Sequence, residues 1–452
     1  MKNRGFGKKK AGLLLCLSLL LFTGCGEGQA AGGTGLDSGS AQAEAGGTVQ
    51  ESTPAGAGGM VQNGSAPQEG VPTEAGSGSA VNGSVPQESV PAEAGGSALQ
   101  ESASAEAGGT GADDSITLIM VGDILLHTPV AESGKTKDGE YDFSAIFAPL
   151  KEEIQSADIA IVNQEVIIGG AELGVSGYPA FNAPYELGDA LVEAGFDVVC
   201  QGTNHALDKG EKGILNCISY WREEHPEIAV LGIHDSEEAA SSVYIREEDG
   251  FRIAILNYTY GTNGIPLPEG MPYAVELLDK ERVAADLKEA EEKADFVVVC
   301  PHWGTEYRLE QTGEQESWAA FFAENGADLV IGTHPHVVEP VEWVEDTLVY
   351  YSLGNFVNWT SGTGEGVKNR MVGAMAQVTI ARNDAGEVSI REWAAEPVVC
   401  HVESGFGGVT VYPLSEYTEE LAAGNEIVKQ DGEFSLESCK ELAEQVFGIA
   451  VE

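Results

Sequence analysis

The chain has 452 residues, with 72 Asp and Glu against 24 Lys and Arg, a formal net charge of −48. Length alone allows more than one domain, but so anionic a surface repels nucleic acid, which is excluded as a partner, and favours small cations. Seven cysteines without a CxxC spacing support neither a disulfide framework nor a zinc ribbon.

Residues 1–25 read as an export signal. A basic start, "MKNRGFGKKK", precedes an apolar run, "AGLLLCLSLLLF", that is too short for a comfortable membrane span. The run closes on "TGC", which resembles a bacterial lipoprotein signal with Cys25 as the lipid-attachment residue. The expected location is the extracytoplasmic face of the cell membrane, held by a lipid anchor. From Ala30 to Asp114 there is no aromatic residue, Lys or Arg, and "EAGG" phrases recur. Such a stretch cannot bury enough apolar surface to offset its ordering entropy, so 26–114 is expected to be a disordered, low-complexity tether.

After Asp114 short β-branched runs alternate with amphipathic ones. The runs "ITLIMVG", "ADIAIVN", "FDVVCQG", "IAVLGI", "FRIAILNY", "DFVVVCP" and "DLVIGTH" predict buried strands. Between them "YDFSAIFAPLKEEIQSA", "YELGDALVEAG", "KGILNCISYWREEH", "DKERVAADLKEAEEKA" and "EQESWAAFFAENG" predict helices, with Gly195 and Gly326 at helix ends. The alternation argues an α/β fold with largely parallel strands. "LVYYSLGNFV", "RMVGAMAQVTIAR" and "EVSIREWAAEPVVCHV" follow without long helices and suggest antiparallel strands of a second sheet. We expect one domain over 115–405, then a C-terminal extension, 406–452, ending in a helix. Cys200 and Cys300 lie in apolar runs and read as small buried hydrophobes.

Five of the runs deliver a polar residue where they end. These are Asp123, with His127 beyond it; Asn163 and Glu165; Asn204, His205 and Asp208; His302 and Glu306; and His334 with His336. Ligands of open α/β sheets bind at the carboxyl ends of strands, so residues distant in sequence converge in one crevice. Asp, Glu, Asn and His without Cys suit one or two divalent ions of Mn, Fe, Zn or Co type. Each residue also has a plainer reading. Asp123 could cap a helix and Asp208 could close a loop. Glu306 could orient His302 from behind, and Gly354–Asn355 could be only a turn, or Asn355 could hold a site loop by hydrogen bonds. His225, His234 and His401 lack a strand-end context.

The blocks "VGDILLH", "NQE", "TNHALDKG", "HWGTEY", "GTHPHVVEP" and "YSLGNF" resemble, in order and spacing, the capsule-synthesis CapA (PgsA) family over about 115–358. That family is linked to poly-γ-glutamate synthesis and export and is similar to calcineurin-like metallophosphoesterases. The resemblance implies a four-layer αββα sandwich and a metal set of Asp123, Glu165, Asn204, His302, His334 and His336. It implies His205 as the residue that contacts substrate; His205 and, from its strand-end place, Glu306 are the catalytic candidates. Where the phosphoesterase pattern has a second ligand two residues after the first Asp, this chain has Leu125. Two functions follow. One is a metal-dependent hydrolase of phosphoester or γ-glutamyl amide bonds. The other is a non-catalytic accessory that binds an anionic polymer beside capsule-synthesis membrane proteins.

Overall fold

The computed structural model describes residues 114–448. The expected signal, Cys25, and the tether as far as residue 113 lie outside the described residues, as do 449–452. No described helix is long and apolar enough to cross a membrane.

Among the described residues fourteen strands form two sheets. In chain order they are β1 (Ser115–Ile124), β2 (Ile159–Asn163), β3 (Val198–Cys200), β4 (Ala229–Leu231), β5 (Tyr244–Glu248), β6 (Phe251–Thr259) and β7 (Phe296–His302). Then come β8 (Leu329–Ile331), β9 (Val338–Val344), β10 (Thr347–Leu353), β11 (Asn355–Val357), β12 (Val372–Arg382), β13 (Val388–Val402) and β14 (Val409–Pro413). The first sheet has the order β14-β13-β12-β1-β2-β3-β4, with β11 also on β1; the second has the order β5-β6-β7-β8-β10-β9. Strands β1 to β4 pair in parallel, as do β6, β7 and β8.

Alternation along the second sheet sets the layers. Ile253, Ile255, Val298 and Leu329 join the core shared with the first sheet. Their neighbours Ala254, Leu256, Val299 and Val330 pack instead on Val283, Leu287, Ala319 and Phe322 of the helices Lys280–Lys293 and Gly313–Glu324. Leu187, Leu191, Ile214 and Trp221, from Tyr185–Ala194 and Gly210–Glu224, enter the core of the first sheet. The result is a helix–sheet–sheet–helix sandwich, the α/β class expected from the sequence. Each buried Leu, Ile, Val or Phe contributes about 1.5–3 kcal/mol by removal from water.

Local chemistry fixes the helix ends. Asp279 caps Lys280–Lys293 by accepting from Glu281 and Arg282 amides, and Thr312 forms a reciprocal capping box with Gln315. Gly195 ends its helix at φ 112°. Three expectations change. The helix expected over 141–157 breaks into Ser144–Phe147 and Lys151–Ser156, because Pro149 lacks an amide proton and constrains the residue before it. The antiparallel run of β12 and β13 does not found a second sheet; β12 pairs with β1 and extends the first. The segment expected as an extension from 406 supplies β14, the edge strand beside β13, before its helix Leu436–Phe447. Periodicity identifies a strand but not its neighbour, which is why β12 and β13 read as a separate sheet. The five cysteines of the described residues are buried and free.

Candidate metal centre

β1, β2 and β3 of one sheet and β7 and β8 of the other bring their carboxyl ends to a common rim. Asp123 sits near the end of β1, fixed from two sides. Its amide donates to the Gly354 carbonyl at 2.9 Å. Gly122 lies so close to that carbonyl that a Cβ would collide with it. Across the rim, the His334 amide donates to the Asp123 carboxylate at 3.2 and 3.3 Å. His334 and His336 flank Pro335 in left-handed backbone, at φ 100° and 59°. That conformation costs a non-glycine residue of order 1–3 kcal/mol and persists only where the surroundings enforce it.

The six expected ligands meet here. Glu165, His302 and His334 place ligand atoms within 4.8 Å of one another, and so do Asp123, Glu165 and His336; Glu165 belongs to both sets. Glu165 Oε1 is 3.7 Å from His302 Nε2 and 3.7 Å from His336 Nε2. His336 Nδ1 is 3.2 Å from Asp123 Oδ2, and the Asn204 side-chain oxygen is 3.0 Å from His302 Nε2. Asp123, Glu165 and His302 are fully buried. Asn163, which closes β2, donates to Asp123 Oδ1 at 2.8 Å.

Burial dominates the electrostatics. It lifts the Glu165 carboxyl well above the usual range, with Asp123 and Glu306 adding to the effect and His336 opposing it. Burial also holds the His302 and His334 imidazoles well below theirs, helped by neighbouring histidines. For His336 burial pulls down, but Glu165 and Asp123 together outweigh it and raise the group to about 9. Both oxygens of Glu165, Nδ1 of His334 and Oδ1 of Asn163 are buried with no hydrogen-bond partner; they are four of ten such atoms among the described residues. An unsatisfied buried polar atom costs about 1–3 kcal/mol, and more when charged. A divalent cation would satisfy Glu165 and His334 together, so the donor set fits such an ion, with oxygen and imidazole ligands and no thiolate.

His205 stands beside the cluster. Its Nε2 is 4.0 Å from Glu165 Oε1, while Nδ1 meets Asp208 Oδ2 at 2.7 Å. That carboxylate oxygen also accepts the Phe181 amide at 2.7 Å, and the Phe181 ring meets the imidazole edge-on at 4.7 Å. Asp208 therefore both closes the loop, as expected, and fixes the tautomer of His205.

Glu306 does not orient His302. The His302 Nδ1 faces Thr333 Oγ1 at 3.0 Å, and its Nε2 faces Asn204. Glu306 is instead exposed on the wall of a cavity shared with His205 and His336. Thr333, two residues beyond β8, bridges to the His302 backbone at the strand end, which sets its hydroxyl rather than the exposed loop carboxylate against the ring. His127 is outside both ligand sets; it packs edge-on against Phe181 at 5.1 Å, and burial lowers it to about 4. Asn355 is more than a turn residue. Its amide donates to the His336 carbonyl at 2.9 Å, and its oxygen lies 3.2 Å from His336 Nδ1. Leu125 lines the cavity where the phosphoesterase pattern would place a ligand.

The family model described as "Bacterial capsule synthesis protein PGA_cap" matches residues 117–360. The PGA biosynthesis protein CapA of Bacillus subtilis (strain 168) is 33% identical over 174 residues, 38% of this chain and 45% of that protein. The capsule biosynthesis protein CapA of Bacillus anthracis is 28% identical over 268 residues, 55% of this chain and 62% of that protein. The chain thus spans about half the length of the curated relatives it matches. Among solved structures, a 5'-nucleotidase from Candida albicans SC5314 aligns over 63% of this chain and 51% of that one, at 9% identity and a TM-score of 0.38. A 5'-nucleotidase precursor from Thermus thermophilus covers 63% and 54%, at 15% identity and a TM-score of 0.36. At such scores the likeness is partial, and the layered architecture stands on the sheets and helices described above.

Proposed function

Because the chain belongs to the bacterial capsule synthesis protein family PGA_cap, we propose that it serves capsule synthesis as a divalent-metal-dependent hydrolase of the phosphoesterase type. It works at the extracytoplasmic face of the cell membrane, anchored by a lipid on Cys25, beside membrane proteins that make or export an anionic polymer. The names of the two Bacillus relatives support the capsule role, and the signal-like start and tether composition support the location.

The observation that carries the hydrolase reading is Glu165. A fully buried carboxylate with neither oxygen paired stands between two sets of imidazole and carboxylate groups. Asp123, Glu165 and His336 would hold one ion, and Glu165, His302 and His334 a second, with the Asn204 oxygen beside the latter. A divalent cation bound there supplies Lewis-acid activation of water and neutralises charge building on a phosphoryl or acyl oxygen. The chain's own groups handle the proton. With Nδ1–H donated to Asp208, His205 presents Nε2 to the site. Protonated at both nitrogens, it gives the Nε2 proton to the departing oxygen while Asp208 stabilises the imidazolium. Phe181, seated on the Asp208 carboxylate through its amide, keeps the ring aligned.

The test pairs metal content with turnover. The purified protein should carry one or two ions per chain and hydrolyse bis-p-nitrophenyl phosphate or a γ-glutamyl peptide with Mn²⁺. His205→Ala should keep the metal and lose about 10²–10⁴ in rate. Metal without turnover on either substrate would favour the polymer-binding accessory. A protein that takes up no ion would end the metal reading.

A further inference from the structure

The cluster opens into a cavity of about 440 Å³. Its wall includes His205, Glu306 and His336, and also Trp359, Thr360 and Arg370. Arg370 is the only Lys or Arg among the lining residues. In a chain with three acids for every base, most of the described arginines find a carboxylate. Arg222, Arg246, Arg252, Arg282 and Arg382 each pair with a carboxylate. Among the described residues no carboxylate pairs with Arg370.

It is nonetheless held in place. The guanidinium stacks 3.5 Å from the centroid of the Tyr307 ring, and Nη1 donates to Thr360 Oγ1 at 3.0 Å. Nε is buried without a partner, which leaves a planar fork with unused donors. Asn355 donates to the Arg370 carbonyl at 2.9 Å as well as to that of His336, so the arginine and the cluster share one mount. Around it Phe181 and Trp359 are buried and Tyr178 is exposed, all three lining the cavity. A stacked, pre-oriented guanidinium is the side chain best matched to carboxylate or phosphate oxygens. The volume lies in the range of small-molecule sites.

We propose that Arg370 anchors an oxyanion of the substrate, a carboxylate or a phosphate, while the organic body lies against the aromatic wall. The proposal rests on the hydrolase reading and names the substrate class of that site: an organic anion. It also supplies the local positive charge that a strongly acidic protein needs to admit such a molecule.

The experiment titrates the full chain, with metal content measured first, against phenyl phosphate and a γ-glutamyl oligopeptide by calorimetry. Charge-assisted hydrogen bonds of this kind correspond to about ten- to hundredfold in affinity. Arg370→Gln should weaken binding by that factor, and Arg370→Lys, which keeps charge but loses the fork and the stacking, by less. Loss confined to the peptide identifies a carboxylate, loss confined to phenyl phosphate a phosphate, and loss of both a subsite for either. Unchanged binding of both probes in a variant that retains its fold, or no binding of either to the wild type, overturns the proposal. Should Arg370→Gln fail to fold, Arg370→Lys decides by the same reading. If the wild type carries no metal, the hydrolase reading fails separately. Arg370-dependent binding in that metal-free protein would still establish the anchor.

Discussion

Glu165 is the side chain whose environment is hardest to explain without a cation. It is fully buried, neither oxygen is hydrogen-bonded, and imidazole nitrogens lie 3.7, 3.7 and 4.0 Å from Oε1. Without an ion, a buried carboxyl that finds no hydrogen-bond partner costs the fold stability, whereas an amide could donate to the facing imidazoles. Glu165→Gln should therefore raise the melting temperature of chelator-treated protein, by an amount equivalent to about 1–3 kcal/mol. The same variant should lose the increase that Mn²⁺ gives the wild type. A variant that melts lower without metal yet still responds to Mn²⁺ would place the ion elsewhere. Sequence pattern reached Glu165 and the histidines because each follows an apolar strand. It reached Asn355 as a residue that could hold a site loop, but not the second role of Asp208 or the support given by Thr333. Those contacts join loops, and no periodicity encodes which loop residues face each other.

Elements place these residues, and two of them invite tests. β1 ends against the β10–β11 turn, where a Cβ on Gly122 would collide with the Gly354 carbonyl while the next amide donates to it. Gly122→Ala must push β1 and the turn apart. It should cost about 1–3 kcal/mol, as overpacking does, and lower metal affinity by moving Asp123, checked by denaturant melts alongside Mn²⁺ titration. In β9, Glu339 is fully buried, with Oε2 accepting from Gln315 at 2.6 Å and Oε1 unpaired; burial raises it to about 8. Its folded value lies above the unfolded one, near 4.5, so between them the folded state binds more protons. Stability must then fall as pH rises through that window, by at most about 1.4 kcal/mol per unit. Glu339→Gln should flatten this slope, and its gain over the wild type should grow from about pH 5 to 8. A constant offset across that range would show that Glu339 titrates normally. The alternating pattern predicted seven strands from "ITLIMVG" to "DLVIGTH", and all seven are present. What it left open was pairing. β12 and β13 look alike whether they begin a new sheet or widen an old one, since partner choice depends on distant neighbours.

At the scale of the whole molecule, the ligands divide between the sheets. Asp123, Glu165 and Asn204 come from the first sheet's strands β1 to β3 and the loops that follow them. His302, His334 and His336 come from β7 and the loop after β8 in the second. A cation held by both groups would act as a cross-link over the rim where the sheets meet, beside the apolar core that already joins them. Binding only to the folded state stabilises it by about 2.7 kcal/mol at a hundredfold excess over Kd. Chelation should therefore lower the melting temperature by several degrees. The loss should also be local. Amide exchange should quicken at 121–125 and 333–337, where the His334 and Asp123 amides cross or approach the seam. The helix Leu436–Phe447, which supplies none of these ligands, should stay as protected as before. Opening free energies differ between parts of a fold, so exchange can separate a seam from a general loosening. Uniform quickening along the chain would mean that the ion acts on global stability alone. No change at the rim would mean that the two sheets need no cation to hold these carboxylates and imidazoles together.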